Sequence, residues 1–329
     1  MRLNFFRSLA FQRGGDPRDA ELQGARDGEA EEGVSVARVI HGEFGPANVE
    51  MQDAAAQSKT LAVASLNLRP KPGDVAGNLR MAERAIIEAK HAHPELGWVV
   101  LPELFTCAYS DLASVHRYAE SAEHGKSVLF FASLARELGL YIAYGFPERL
   151  PGTAGASGVC DSANLVGPEG LVLNYRKRHL VHTTQEPHIF VPGLELPVVE
   201  AGGMRVALAI CWDLGFPEVA REAALAGAEL ILAPAGWREP WGAQYELSCA
   251  ARALDNAVYL ASANQLGVYS EARFDTPGHA YGPDGRRISR SEGERSYGEL
   301  DTGAPVRWRS FYGSTFLEPV EATPLEVCS

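Results

Sequence analysis

The stretch RVALAICWDLGFPEVAREAALAGAELILAPAG, residues 205–236, sets the fold class. RVALAIC (205–211) is a short unbroken apolar run, as expected of a strand buried on both faces. FPEVAREAALAGA (216–228) changes period. Its apolar residues recur at helical spacing, and Pro217 suits a first helical turn. ELILAPAG (229–236) returns to a short apolar run and reads as a second strand. Strand, helix and strand in succession argue an α/β fold whose sheets are covered by helices.

The same rhythm extends in both directions. Downstream, YELSCAARALDNA (245–257) reads as a helix and VYLASAN (258–264) as a strand. GHAYGPDGRRISR (278–290) reads as a hairpin around Gly-Pro-Asp-Gly. Upstream, TLAVASLNL (60–68) is a strand closed by the turn signal RPKPGD, and NLRMAERAIIEAKHAH (78–93) is an amphipathic helix. WVVLPEL (98–104) is a strand, KSVLFFASLARELGL (126–140) a helix and YIAYGF (141–146) a strand. ANLVGPEGLVLNYRKRHL (163–180) reads as a hairpin turning at Gly167-Pro168-Glu169-Gly170. The halves share a β-α-β rhythm without a close repeat of sequence.

Residues 1–58 differ from this pattern. RGGDPRDAELQGARDGEAEEG (13–33) is too poor in large apolar residues to offset its ordering entropy, so a mobile N-terminal extension is expected. VSVARVI (34–40) is its one candidate strand. Arg2, Arg7 and Arg13 leave a targeting peptide open as a weak reading, because the long apolar region and clear cleavage site of one are missing. The chain thus divides into an extension (1–58), one large domain (59–305) and a tail (306–329).

Bulk properties narrow the class. Of the 329 residues, 46% are hydrophobic and 22% charged, as in ordinary globular proteins. A net charge of −12 argues against nucleic acid or an anionic membrane as partner. No apolar run reaches the roughly 18–20 residues that span a bilayer. The five cysteines are scattered and form no CxxC pair, which excludes a disulfide framework and points to a reducing cytoplasm.

Three groups carry the chemistry. Cys211 ends an apolar run just before a helix, whose positive end would favour a thiolate. Taken alone, it reads more readily as a small buried hydrophobe. Glu103, in VVLPELFTCAYS, follows apolar residues and a proline, where burial is costly without a partner. It is either a general base or a loop carboxylate. Lys177, in NYRKRHL, is either an oxyanion donor or one member of a solvated basic cluster. His179, His182 and His188 are irregularly spaced and complete no metal-ligand pattern.

In combination these segments are more specific. LPELF, YRKRHL and ICWDLGFPE, in this order and at these separations, resemble the signature blocks of the nitrilase superfamily of carbon–nitrogen hydrolases. The resemblance spans roughly residues 60–305. It implies a four-layer α-β-β-α sandwich and a Glu-Lys-Cys triad: Glu103 as general base, Lys177 as oxyanion donor and Cys211 as nucleophile. It also implies that Glu186 positions substrate and that the Trp212 backbone N–H is a second oxyanion donor. Tyr109 and Trp237 are expected to help position the substrate, with Trp241 and Tyr245 shaping the acyl side. No cofactor and no metal are implied. The partners implied are a small-molecule amide and further copies of the chain, with the aromatic tail WRSFYGSTF (308–316) packed at the oligomer interface.

The block after the nucleophile selects the branch. Nitrilases proper place Cys-Trp-Glu there, whereas Cys211-Trp212-Asp213 is closer to amidase-like branches. Gly215 stands where many members have a bulky or charged residue, so a wider pocket is expected. Asp161-Ser162-Ala163 replaces a usual Asn-Ser-Ala, and Cys107 reads as a spectator thiol. A small linear carboxamide is the leading substrate class, followed by an N-carbamoyl compound and a nitrile. A catalytically silent scaffold of the same fold is the non-enzyme alternative. A substrate carboxylate would require one more cation, for which Arg178 and Arg238 are the candidates.

Overall fold

The computed structural model describes residues 58–155 and 157–312. The candidate strand 34–40, with nearly all of the expected extension, and residues 313–316 of the aromatic stretch lie outside them.

Along the chain, strand β1 (Thr60–Leu66) leads through helix α1 (Val75–Ala92) to β2 (Leu96–Val100), then through α2 (Lys126–Leu138) to β3 (Tyr141–Arg149). The hairpin β4 (Val159–Gly167) and β5 (Gly170–Arg176) follows. The second half runs β6 (Val198–Ala201), β7 (Met204–Leu208), α3 (Pro217–Leu225), β8 (Leu230–Ala235), α4 (Gly242–Asn256) and β9 (Tyr259–Asn264). Short strands β10 (Gly267–Tyr269), β11 (Ala272–Phe274), β12 (Ala280–Tyr281) and β13 (Arg290–Glu292) precede β14 (Arg295–Asp301) and helix α5 (Ala304–Tyr312). Local chemistry sets the helix ends: Asp74 accepts the Gly77 N–H at 2.9 Å, and Gly139 closes α2 with φ 63°.

One sheet has the order β13-β14-β1-β2-β3-β4-β5 and the other β12-β9-β8-β7-β6. Strands β1, β2 and β3 are mutually parallel, as are β7, β8 and β9. This is the repeated rhythm expected from the sequence. The pleat then sorts the side chains. Ala62, Ala64 and Leu66 of β1 and Ile142, Tyr144 and Phe146 of β3 pack with Ile86, Phe131 and Leu134 of α1 and α2. Val63, Trp98, Val100 and Ala143 point the other way, into a core shared with Val206, Leu208, Leu230 and Leu232. That core continues to Val219, Ala223, Cys249 and Ala253 of α3 and α4. The layers are therefore α-β-β-α, the expected sandwich. Burying one Phe131-sized side chain contributes roughly 1.5–3 kcal/mol, so alternation alone fixes which face meets which layer.

Several boundaries differ from the sequence reading. The strand expected at 98–104 stops at Val100, because Pro102 offers no N–H and Leu104 takes φ 45°. The strand expected at 205–211 stops at Leu208, because Cys211 takes φ 46°. The segment 278–290 is not a free-standing hairpin. Its first arm pairs with β9 and its end with β14, and only a bridge between Tyr281 and Arg287 joins them. Strands β6, β10, β11 and β14 were not anticipated. Residues 308–312 of the aromatic tail lie in α5. Among the described residues, no helix is long and apolar enough to cross a membrane.

Candidate active site

Cys211 opens a short 3-10 turn, Cys211–Gly215, between β7 and α3. Its φ of 46° is strained for a residue with a Cβ. The buried Asp213 carboxylate holds the turn in place. It accepts the Ile210 N–H at 3.0 Å, the Tyr175 hydroxyl at 2.8 Å and the His179 N–H at 2.9 Å. Asp213 thus has a structural reason to follow Trp212 in the Cys-Trp-Asp block.

Glu103 sits in the loop after β2, where backbone bonds tie that loop to both sheets. Gly145 of β3 donates to Pro102 O at 3.1 Å, and Glu103 donates to Ala235 O of β8 at 3.2 Å. The close approach requires glycine at 145, since a Cβ there would lie 2.5 Å from Leu104 N and 2.7 Å from Glu103 Cα. Lys177 leaves the end of β5, anchored by its N–H to Asp161 O at 2.8 Å. Glu186 begins a one-turn helix, Glu186–Ile189.

These side chains converge. Lys177 Nζ donates to Glu103 Oε1 at 2.6 Å and to Glu186 Oε1 at 3.0 Å. Asp161 Oδ2 lies 3.5 Å from the same nitrogen. All four side chains are buried. Glu186 also accepts the Tyr109 hydroxyl at 2.5 Å and the Val181 N–H at 2.8 Å. Glu103, Asp161 and Glu186 are close enough together to hold a cation, and the Lys177 ammonium is the cation they surround.

Electrostatics follow from this geometry. Burial alone would pull the Lys177 ammonium down, but Glu103, Glu186 and Asp161 outweigh it and hold it well above its ordinary range. Burial, then the Glu103 charge, pushes the Cys211 thiol well up, while Lys177 and the Gly236 N–H oppose the rise. Burial and then Glu186 push the Tyr109 phenol up, so it remains a donor. Gly236 fits closely, because a Cβ there would meet Glu103 Oε2 at 2.8 Å and the Tyr109 ring at 3.2 Å.

Cys211 opens onto a cleft of about 380 Å³ lined by Tyr109, His182, Trp212, Trp237, Arg238 and Trp241, among others. The Trp212 and Trp237 ring centroids are 5.2 Å apart, and the Arg238 guanidinium lies 5.2 Å from the Trp241 ring. Of the two candidate cations, only Arg238 lines the cleft; Arg178 is paired with Glu222 at 2.7 Å. Tyr245 does not line it. Its hydroxyl is 2.5 Å from Ser262 Oγ and its ring supports Trp237, so its role is packing. Gly215 is not a lining residue either, and a Cβ there would touch the Trp212 ring at 3.6 Å. The three histidines part company: His179 bonds Asp213 at 2.9 Å, His182 lines the cleft and His188 lies in the turn after Glu186. Cys107 is buried beside Leu104 O at 3.6 Å, and burial pushes its thiol up.

The sequence reading missed the supporting roles of Gly145, Gly236 and Gln265. An interior glycine in the strand YIAYGF is a readable sign of close backbone approach, and it could have identified Gly145. Gln265, which clamps the Tyr109 backbone from both sides at 2.9 and 3.0 Å, carries no such local sign. Asp161 stood out as a departure, but its place beside Lys177 was not foreseen.

Comparison with known proteins identifies the family. Residues 62–309 match the family model described as Carbon-nitrogen hydrolase. The chain is 36% identical over 233 residues to a Pseudomonas protegens protein called "Hydrolase in pqqF 5'region", covering 70% of this chain and 79% of that one. It is 31% identical over 245 residues to omega-amidase NIT2 of Danio rerio, covering 69% and 83% respectively. It superposes on a variant of the Nesterenkonia sp. AN1 amidase with a TM-score of 0.65 and 25% identity, covering 73% and 92%. In that structure acrylamide has added to the active-site cysteine. The chain belongs to the carbon-nitrogen hydrolase family and is a hydrolase of carbon–nitrogen bonds.

Proposed function

We propose that the protein hydrolyses a small linear carboxamide to a carboxylic acid and ammonia through a thioester on Cys211. The observation that carries this reading is the buried Lys177 ammonium, bonded to Glu103 and Glu186 beside a cysteine that opens onto an aromatic cleft. The acrylamide adduct on the active-site cysteine of the Nesterenkonia amidase supports the choice of nucleophile.

Each group has a task in this scheme. Glu103 takes the Cys211 proton as sulfur attacks the amide carbon. The resting cysteine is a thiol, since burial and the Glu103 charge disfavour thiolate, so proton removal accompanies attack. An ammonium has three protons. Lys177 directs two at Glu103 and Glu186, which leaves the third for the oxyanion. The Trp212 N–H is the second donor, and one such donor is worth roughly 3–4 kcal/mol in the transition state. Glu103 then passes the proton to nitrogen, the C–N bond breaks and ammonia leaves. Water, deprotonated by Glu103, attacks the thioester and releases the acid with Cys211 restored. Glu186 holds Lys177 and the Tyr109 hydroxyl in place, and Tyr109 and Trp237 form walls for the acyl chain.

One observation favours a second reading. Arg238 lines the cleft and has no carboxylate partner among the described residues, so it could receive the carboxylate of an N-carbamoyl amino acid. Ammonia release from amides, carbamoyl compounds and nitriles tests both readings when wild type is run beside Cys211→Ala. Release from amides without carbon dioxide, abolished by the substitution, is expected. Carbon dioxide alongside ammonia would establish the second reading. Release that persists in Cys211→Ala would overturn the assignment of the nucleophile. A folded wild-type protein that releases nothing would favour a silent scaffold.

A further inference from the structure

The site holds more acid than its one cation can balance. Glu103, Asp161 and Glu186 each place an oxygen within 4.8 Å of the others, and all three are fully buried. Lys177 is the ammonium among them. Three carboxylates and one ammonium would leave two uncompensated negative charges away from water, which is strongly unfavourable. One carboxyl therefore carries a proton, and hydrogen bonding identifies which one.

Glu186 accepts from Lys177, Tyr109 and Val181, an arrangement that suits an anion. Glu103 Oε1 accepts from Lys177 at 2.6 Å. Asp161 receives no hydrogen bond at either oxygen, and Glu103 Oε2 receives none. Of these three unsatisfied oxygens, a single proton shared between Asp161 and Glu103 reconciles two, one on each acid. Cys107 and Cys160 also face Asp161, and neither thiol supplies a positive charge.

We propose that Asp161 rests as a neutral carboxylic acid donating its proton to Glu103, and that it is a positioning residue for the catalytic pair Glu103 and Lys177. The bond gives Glu103 Oε2 a donor and fixes the carboxylate plane, so that Oε1 stays on Lys177 while the second lone pair of Oε2 remains open for the Cys211 proton. A neutral Asp161 does not compete for the third Lys177 proton, which remains available to the oxyanion. Burial and the adjacent Glu103 charge push the Asp161 carboxyl well up, in agreement with the geometry.

The positioning role rests on the amidase reading; the protonation does not. Infrared difference spectra of the full-length protein, with and without carbon-13-labelled aspartate, test the protonation directly. A label-sensitive protonated-carboxyl C=O band at neutral pH in wild type, absent from Asp161→Asn, is expected. No such band in wild type would overturn the proposal, whether or not the variant folds and whichever substrate the protein takes. Asn can still donate to Glu103 and Ala cannot, so Asp161→Asn is expected to keep kcat within about threefold while Asp161→Ala loses about 100-fold. Equal losses in the two variants would overturn the positioning role while leaving the amidase reading intact.

Discussion

Lys177 Nζ lies 2.6 Å from Glu103 Oε1, and neither side chain is exposed. The pair links the end of β5 to the loop after β2, which is itself bonded to both sheets. Lys177→Met keeps the stem and removes the charge. Buried carboxylates left without their cation typically cost about 3–5 kcal/mol, and loss of an oxyanion donor costs about 10²–10³ in kcat. Denaturant unfolding together with steady-state kinetics measures both, and a variant with wild-type kcat would exclude Lys177 from the chemistry.

Cys211 should carry its proton at rest. Burial and the Glu103 charge raise the folded-state pKa, so the thiol form persists through neutral pH and is lost only as the pH rises further. The ultraviolet difference spectrum of wild type minus Cys211→Ala is therefore expected to show no thiolate absorbance at neutral pH. A thiolate band there would mean that Lys177 and the Gly236 N–H outweigh burial.

Arg238 should discriminate between substrates. Hydrogen bonds to a charged group are worth about 1.5–3 kcal/mol, so Arg238→Gln should raise KM roughly 10- to 100-fold for amides bearing a distal carboxylate. Neutral amides of the same length should be unaffected. Equal changes for both classes would reduce Arg238 to a packing partner of Trp241.

Gly145→Ala tests how closely the Glu103 loop is seated. The added Cβ would lie 2.5 Å from Leu104 N, which is backbone and cannot rotate away. A stability loss of about 1–3 kcal/mol is expected, with a fall in kcat as Glu103 moves from Lys177. Unchanged melting and kcat would show that the loop shifts freely.

His279 gives the fold an acid limit. It is buried between Ser289 Oγ at 3.1 Å and Ser296 Oγ at 3.0 Å, and burial, then Arg287, lowers it from 6.5 to about 4. The unfolded chain therefore binds the proton more readily than the folded one. This contribution is fully present above pH 6.5 and is lost as the pH falls toward 4. Melting temperature should decline across that window in wild type and less steeply in His279→Gln. Parallel curves for the two proteins would assign the decline to other groups.

Much of this was legible in the chain itself. Local periodicity exposed the β-α-β rhythm because each strand and helix must bury its own face, and that requirement is written into neighbouring residues. Glu103 and Cys211 were marked by their place at the ends of apolar runs, Lys177 by following an extended segment, and Glu186 by the family resemblance alone. Strand β14 was hidden because its partner, β1, lies more than two hundred residues away, and pairing at that distance leaves no local pattern.

The sequence by itself determined the layers, the family and the residue types brought to the site. Only the tertiary structure decided their electrical relationship. It placed three carboxyls around one ammonium, left Asp161 and Glu103 Oε2 without donors, and set Arg238 rather than Arg178 on the cleft. The physical reason is that charge and hydrogen-bond balance depend on distances of a few ångströms between loops far apart in the chain, and no run of neighbouring residues encodes those distances.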